Sequence, residues 1–259
     1  MSETKLDVIF TAPHPDDLEI GMGGTIAKMV KLGYRVGMVH MTNGEPTPNG
    51  TVETRMAEMG AAAEILGVQV VEMLDLPNRV LMDSPESRYA LAAVIRKYRP
   101  KILVGMAGRT PAASPDHYQA QLITEAARFY SQLTQWDDRF GGTEPWRVDH
   151  LVYRPVPFAA EIPHFPSRFV VDITETLQQK IEAVRCYKSQ FGDERFKGLE
   201  HYIRSLAGAE GIAAGFRFGE LYALPRLIGV TDPIQMLGDW KIPPPWGKRL
   251  QDAPDTAGT

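Results

Sequence analysis

A histidine followed by two consecutive carboxylates is costly to build at the end of an apolar run. It occurs here in Ala12-Pro13-His14-Pro15-Asp16-Asp17-Leu18-Glu19, directly after Val8-Ile9-Phe10. Pro13 and Pro15 bracket the histidine, fix φ on each side of it and stop a strand. His14 and Asp17 offer a nitrogen and an oxygen ligand, as a zinc site would. Asp16, between them, stays free to handle a proton. The plainer alternative is that these residues cap a turn and a helix N-terminus, although a cap needs one such residue and not three. A second polar cluster, Ser114-Pro115-Asp116-His117, stands far along the chain.

The elements that must position these groups alternate through the first half. Apolar runs predict strands over Val8–Thr11, Arg35–Thr42, Val68–Leu74 and Lys101–Met106. Helical spacing predicts helices over Ile20–Leu32 (closed by Gly33), Thr51–Leu66, Ser84–Tyr98 and His117–Leu133. Such alternation implies a Rossmann-like α/β fold: a parallel sheet with flanking helices and right-handed crossovers. In a doubly wound order strands one and four are neighbours and the strand order reverses between them, which is where such folds bind ligands. His14 and Asp17 leave the first strand and His117 follows the fourth, so the two clusters converge. Two histidines and one aspartate with an open fourth position describe a catalytic zinc rather than a closed structural site. Asp16 would then accept a proton from water as general base.

Beyond Trp136 the pattern changes to a smaller α+β extension. Strands are expected over Val148–Arg154, Phe169–Asp172 and Phe216–Leu224, a helix over Thr174–Phe191 capped by Thr174, and another around Leu199–Leu206. Pro155–Pro166 has four prolines, too many for a helix. The expected organisation is one domain over 1–240, with a core over about 5–154 and an extension over about 155–240. A Pro/Gly-rich tail or arm follows over 241–259.

The chain has 259 residues, 44% hydrophobic and 23% charged, as in an ordinary soluble enzyme. A net charge of −4 gives no reason to expect nucleic acid or an acidic membrane as partner. The single cysteine, Cys186, excludes an internal disulfide, and with no apolar signal core or membrane span the expected location is cytoplasmic. Cys186 reads as packing. His40 reads as a core or crevice-wall residue, His150 and His201 as surface or packing residues, and His164 as a loop residue that could reach over the site. Gly21, Gly23 and Gly24 faintly resemble a dinucleotide loop, but carboxylates before them would face the pyrophosphate.

The stretch Pro13–Thr25, with its His-Pro-Asp-Asp and Gly-Gly, resembles the signature of the LmbE-like or PIG-L-like deacetylase superfamily. Thr42-Asn43-Gly44-Glu45, Arg55 and Glu58 match the family's order, and Ser114–His117 is similar to its His-Pro-Asp-His. Asp75-Leu76-Pro77-Asn78-Arg79, Lys180–Phe191 and Phe218-Gly219-Glu220 resemble the bacillithiol-biosynthesis branch, which deacetylates N-acetylglucosaminyl malate. The resemblance runs from about Val8 to Gly229. It implies a zinc enzyme (or one using another divalent ion) that deacetylates an N-acetylglucosamine conjugate, and a homo-oligomer. The metal ligands would be His14, Asp17 and His117, the base Asp16. Arg55 would contact the substrate, or else form an exposed ion pair with Glu53 or Glu58; Asn78 would bind the sugar, or else serve as a turn residue. Ser114 stands where the family has a histidine thought to stabilise the oxyanion or protonate the leaving amine, and a hydroxyl can serve only the first purpose. Hydrolysis of another small amide, or a weakly active metal-binding paralogue, are the alternatives.

Overall fold

The computed structural model describes residues 5–157, 161 and 163–237. Its first half runs β1 (Val8–Ala12), α1 (Asp17–Lys31), β2 (Val36–His40), α2 (Val52–Leu66), β3 (Val70–Met73), α3 (Pro85–Tyr98), β4 (Ile102–Ala107) and α4 (Asp116–Tyr130). The second half has β5 (His150–Pro155), β6 (Ser167–Asp172), α5 (Leu177–Arg185), α6 (Lys188–Ala214), β7 (Gly219–Leu224) and the short α7 (Pro233–Leu237). One seven-stranded sheet has the order β3-β2-β1-β4-β5-β7-β6. The first five strands in that order are parallel, and β7 and β6 join antiparallel. The chain therefore is an α/β protein whose strand order reverses between β1 and β4, as expected, and the later strands extend the same sheet. No helix among the described residues is long and apolar enough to cross a membrane.

Strand β1 is buried throughout because both its faces are covered. Val8 and Phe10 pack on one side with Leu18, Met22 and Ile26 of α1 and Met59 of α2. Ile9, on the other side, packs with Leu91 and Ile95 of α3 and Ile123 of α4. Each such fully buried side chain contributes about 1.5–3 kcal/mol. A third cluster, with Ile173, Ile181, Phe196 and Ile203, anchors the extension.

The glycines after the first polar cluster lie inside α1, not in a phosphate loop. A Cβ on Gly24 would lie 2.7 Å from Ile173 Cδ1, and one on Gly23 3.1 Å from Lys180 Cγ, so they let α5 and its approach press against α1. At this seam Glu220 of β7 accepts hydrogen bonds from the Gly24 and Thr25 backbone nitrogens, at 3.0 and 2.8 Å. Lys180 donates to the same carboxylate at 2.6 Å, and both side chains are buried.

Three expectations are corrected. α1 begins at Asp17 rather than Ile20, so a predicted ligand occupies its first turn. The helix expected over Thr174–Phe191 is two helices: α5 starts after Thr176, whose hydroxyl donates to the Gly24 carbonyl, and the chain breaks at Tyr187, which turns inward to Glu19. Thr174 makes no cap; its hydroxyl donates to Asp172. The helix expected around Leu199–Leu206 belongs to the much longer α6, which bends at Gly192 (φ 52°). Its glycines conceal it in the sequence, yet Gly211 is a contact point, since a Cβ there would lie 2.7 Å from the Phe218 carbonyl carbon. The tail over 241–259 lies outside the described residues.

Overpacking a tight core contact costs about 1–3 kcal/mol. Gly24→Ala is therefore expected to lower Tm by several degrees. Gly60→Ala, in α2 with nothing within 4 Å of the added carbon, is expected to be neutral or stabilising, by up to about 1 kcal/mol. Thermal unfolding of the two variants beside the parent checks the seam.

Candidate metal centre

The chain leaving β1 is held rigidly before it reaches the polar residues. The Pro13 carbonyl accepts from the Thr42 backbone nitrogen (2.9 Å) and hydroxyl (3.0 Å), and His40 Nδ1 donates to the His14 carbonyl (3.3 Å). His40 is wholly buried, which pushes its pKa down to about 4 and keeps it neutral at the back of the site. Asp16 then takes φ 104°, a left-handed conformation foreign to L residues outside tight functional turns. It precedes α1 but its side chain makes no capping bond, so helix capping does not account for it. Asp17 opens the helix, and its Oδ2 accepts from the His14 backbone nitrogen at 3.1 Å.

From across the strand reversal, α4 brings His117. His14 Nδ1 lies 3.0 Å from Asp17 Oδ2, and His117 Nε2 lies 2.9 Å from Asp17 Oδ1. The two imidazoles meet edge to face with centroids 5.3 Å apart. One ligand atom from each of His14, Asp17 and His117 lies within 4.8 Å of the others. The outward nitrogens are also engaged: His14 Nε2 donates to Asp116 Oδ2 (3.1 Å), and His117 Nδ1 donates to the Ser114 carbonyl (3.0 Å). When the imidazoles are neutral, those bonds keep the proton on the outward nitrogens and leave His14 Nδ1 and His117 Nε2, beside Asp17, free to act as ligands. Such outer acceptors orient metal-binding histidines. A nitrogen, nitrogen, carboxylate set with anchored outer nitrogens fits zinc or a similar divalent ion.

The same contacts control protonation. Burial opposes charge on His14, but its bonds to Asp116 and Asp17 prevail and raise it to about 10. Burial likewise opposes His117, and the Asp17 carboxylate raises it. Burial would raise Asp17, yet His117 and His14 hold it well below the usual carboxylate range. Asp16 is pushed up to about 7 by burial and by the neighbouring Asp17, against the pull of Arg55 and His14.

Asp116 is the residue that sequence reasoning left without a role. It is 1% exposed, and besides His14 it accepts from the Arg79 backbone nitrogen at 2.7 Å. An acid immediately before a ligand-type histidine in Ser114-Pro115-Asp116-His117 was the available signal. Glu19 is buried and accepts from the Tyr187 hydroxyl at 2.8 Å.

Arg55 is buried, which corrects the exposed ion pair with Glu53 or Glu58. Its Nη1 donates to Asp16 Oδ2 (3.0 Å) and to the Pro15 carbonyl (3.2 Å), and its Nε to Glu45 Oε1 (3.3 Å). Glu58 instead accepts from the Ser189 backbone and hydroxyl, both at 2.7 Å. Asn78 is half-buried, donating to the Glu45 carbonyl (3.1 Å) and accepting from the Thr42 hydroxyl (3.4 Å), so it ties two rim loops together. The Ser114 hydroxyl accepts from the Asp116 backbone nitrogen at 3.3 Å, and its hydrogen is left to donate. His150, His164 and His201 are exposed. Cys186 is half-buried, and burial pushes its thiol up, with the Glu19 and Glu58 charges adding to the effect.

The family model described as "PIG-L: GlcNAc-PI de-N-acetylase" matches residues 9–128, which span β1 to α4 and all three ligand candidates. The diacetylchitobiose deacetylase of Thermococcus kodakarensis is 31% identical over 223 residues, 82% of this chain and 80% of that protein. This chain belongs to the PIG-L (LmbE-like) family. A 1D-myo-inositol 2-acetamido-2-deoxy-alpha-D-glucopyranoside deacetylase of Mycobacterium sp. (strain KMS) is 27% identical over 82% of this chain and 87% of its own. Among solved structures, the conserved protein TT1542 of Thermus thermophilus superposes with a TM-score of 0.75 at 32% identity. That match covers 87% of this chain and 97% of TT1542.

Loading this site with a divalent ion requires His14 and His117 to give up protons held by Asp17 and Asp116. Metal affinity is therefore expected to rise with pH through the neutral range, with measurable proton release per ion bound. Calorimetric titration in buffers of different ionisation enthalpy checks this. His14→Ala and His117→Ala should abolish stoichiometric metal binding. Asp116→Asn should retain the ion with affinity lowered about 10–100-fold, as for lost outer partners of ligand histidines.

Proposed function

We propose that this chain is a zinc-dependent hydrolase that removes the acetyl group from an N-acetylglucosamine-type conjugate, releasing acetate and a free amino sugar. The observation that carries the reading is the meeting of His14, Asp17 and His117 at one point with Asp16 beside them. Family membership and the deacetylase names of the relatives support the same chemistry. The bacillithiol-branch motifs point to N-acetylglucosaminyl malate as the conjugate.

His14, Asp17 and His117 would hold the ion. When bound it supplies Lewis acidity, lowering the pKa of water toward ~7 and polarising an amide carbonyl. Asp16 takes the proton that water loses as its oxygen joins the acetamide carbon. It returns that proton to the nitrogen as the C–N bond breaks, so that one group is base and then acid. A carboxyl pushed up to about 7 by burial and Asp17 is populated in both forms near neutral pH, which suits this double duty. Arg55 positions Asp16 through the 3.0 Å bond to Oδ2 and restrains how far that carboxyl rises. The Ser114 hydroxyl donates to the oxyanion, a contribution smaller than a charged histidine would make. Asn78 faces the sugar hydroxyls while bracing the Glu45 loop.

The test is acetate release by the metal-loaded protein from N-acetylglucosaminyl malate, diacetylchitobiose and the N-acetylglucosaminyl inositol conjugate. Release from none of them overturns the reading. Asp16→Asn should keep the ion yet lose about 10²-fold or more in turnover, because an amide cannot accept the proton. Ser114→Ala should cost a modest factor, whereas Ser114→His should preserve or raise turnover and add an acidic group to the pH profile.

A further inference from the structure

Between β3 and α3 two non-glycine residues adopt left-handed backbone, Asp75 (φ 53°) and Arg79 (φ 67°). A short acidic side chain tolerates that region, and Asp75 is braced there by Asn43 Nδ2 at 3.2 Å. Arg79 has neither advantage. Its backbone is held in the conformation by donating to Asp116 Oδ2, the oxygen that also receives His14 Nε2. Glycine would make that bond without strain. The backbone thus accounts for the conformation but not for the arginine, and strain kept at a site points to use of the side chain.

The Arg79 guanidinium is exposed and, among the described residues, has no hydrogen-bond or ion-pair partner. Arg55 and Arg88, also close to this loop, are paired with carboxylates. Arg79 follows Asn78, which braces the site rim, and its own nitrogen is two hydrogen bonds from the His14 ring. The rim side chains Asn43, Glu45 and Asp75 are neutral or acidic, and the one guanidinium bonded to them, Arg55, is engaged by Glu45 and Asp16, which leaves Arg79 as the cation of this loop with its charge unpaired among the described residues. A guanidinium pairs with carboxylate or phosphate through two parallel bonds.

We propose that Arg79 reads an anionic group, carboxylate or phosphate, on the aglycone of the amino-sugar substrate. The inference rests on the deacetylase reading above. Being exposed, the contact weakens with salt.

The test uses metal-loaded wild type, Arg79→Gly and Arg79→Lys. Gly keeps the backbone N–H and fits the left-handed turn, so it removes the guanidinium alone. N-acetylglucosamine 1-phosphate and N-acetylglucosaminyl malate are the anionic substrates, and methyl N-acetylglucosaminide is the neutral one. In Arg79→Gly the anionic-to-neutral ratio of kcat/KM should fall about tenfold or more, chiefly through KM, and Arg79→Lys should recover part of it. The wild-type ratio should fall with added salt while the glycine variant's stays flat. The phosphate and malate arms tell which anion is preferred. A ratio within about twofold of wild type in Arg79→Gly overturns the proposal. If wild type releases acetate from none of these, the deacetylase reading fails, and Arg79 is judged by direct titration. Wild type should then bind glucosamine 1-phosphate more tightly than methyl glucosaminide. The same preference undiminished in the glycine variant, or absent from wild type, overturns the proposal.

Discussion

A single carboxylate, that of Asp17, bonds both imidazoles of the candidate metal centre, and much of the architecture serves to make that possible. Burying three polar groups together is unfavourable unless each has partners. Here every outward nitrogen finds an acceptor, from Asp116 on one side and the Ser114 carbonyl on the other. Reversal of strand order between β1 and β4 opens the crevice in which the three side chains meet. A closed, evenly wound sheet would have filled that volume with apolar residues.

Helix α1 transmits this constraint into the body of the protein. Asp17 sits in its first turn, while its middle is pressed by α5 at Gly23 and Gly24 and gripped by the Glu220 carboxylate. Glu220 is in turn neutralised by the buried Lys180. Deleting one partner of such a pair strands a buried charge, a loss of about 3–5 kcal/mol, although the intact pair itself need not be strongly stabilising. The value of the arrangement lies in position: the helix cannot slide or rotate without breaking several buried bonds at once.

Much of this was legible in the residues. Apolar runs and helical spacing located the alternating core, and two polar clusters at strand ends located the ligand candidates. The misreadings have local physical causes. Glycines inside α1 and α6 look like punctuation, yet they serve helix contacts that only the folded partner reveals. The apolar periodicity across Thr174–Phe191 is continuous, and only the inward turn of Tyr187 toward Glu19 breaks the helix. Arg55 carries a charge that composition assigns to the surface, whereas Asp16, Glu45 and the Pro15 carbonyl hold it inside. Asp116 escaped because its importance lies in a bond to a residue in a different cluster, which spacing alone does not disclose.

The long separation of the ligand candidates also dictates when the cluster can form. Asp17 and His117 are 100 positions apart and belong to parallel elements that meet only after β4 docks beside β1. Parallel pairings of this kind form late, since loop closure must precede any reward from the contact. As the chain emerges from synthesis, the first cluster is exposed for many residues with only two of the three donors. The three side chains are therefore brought together only once the sheet has registered its fourth strand. Completion of this cluster marks the end of assembly and does not guide its beginning.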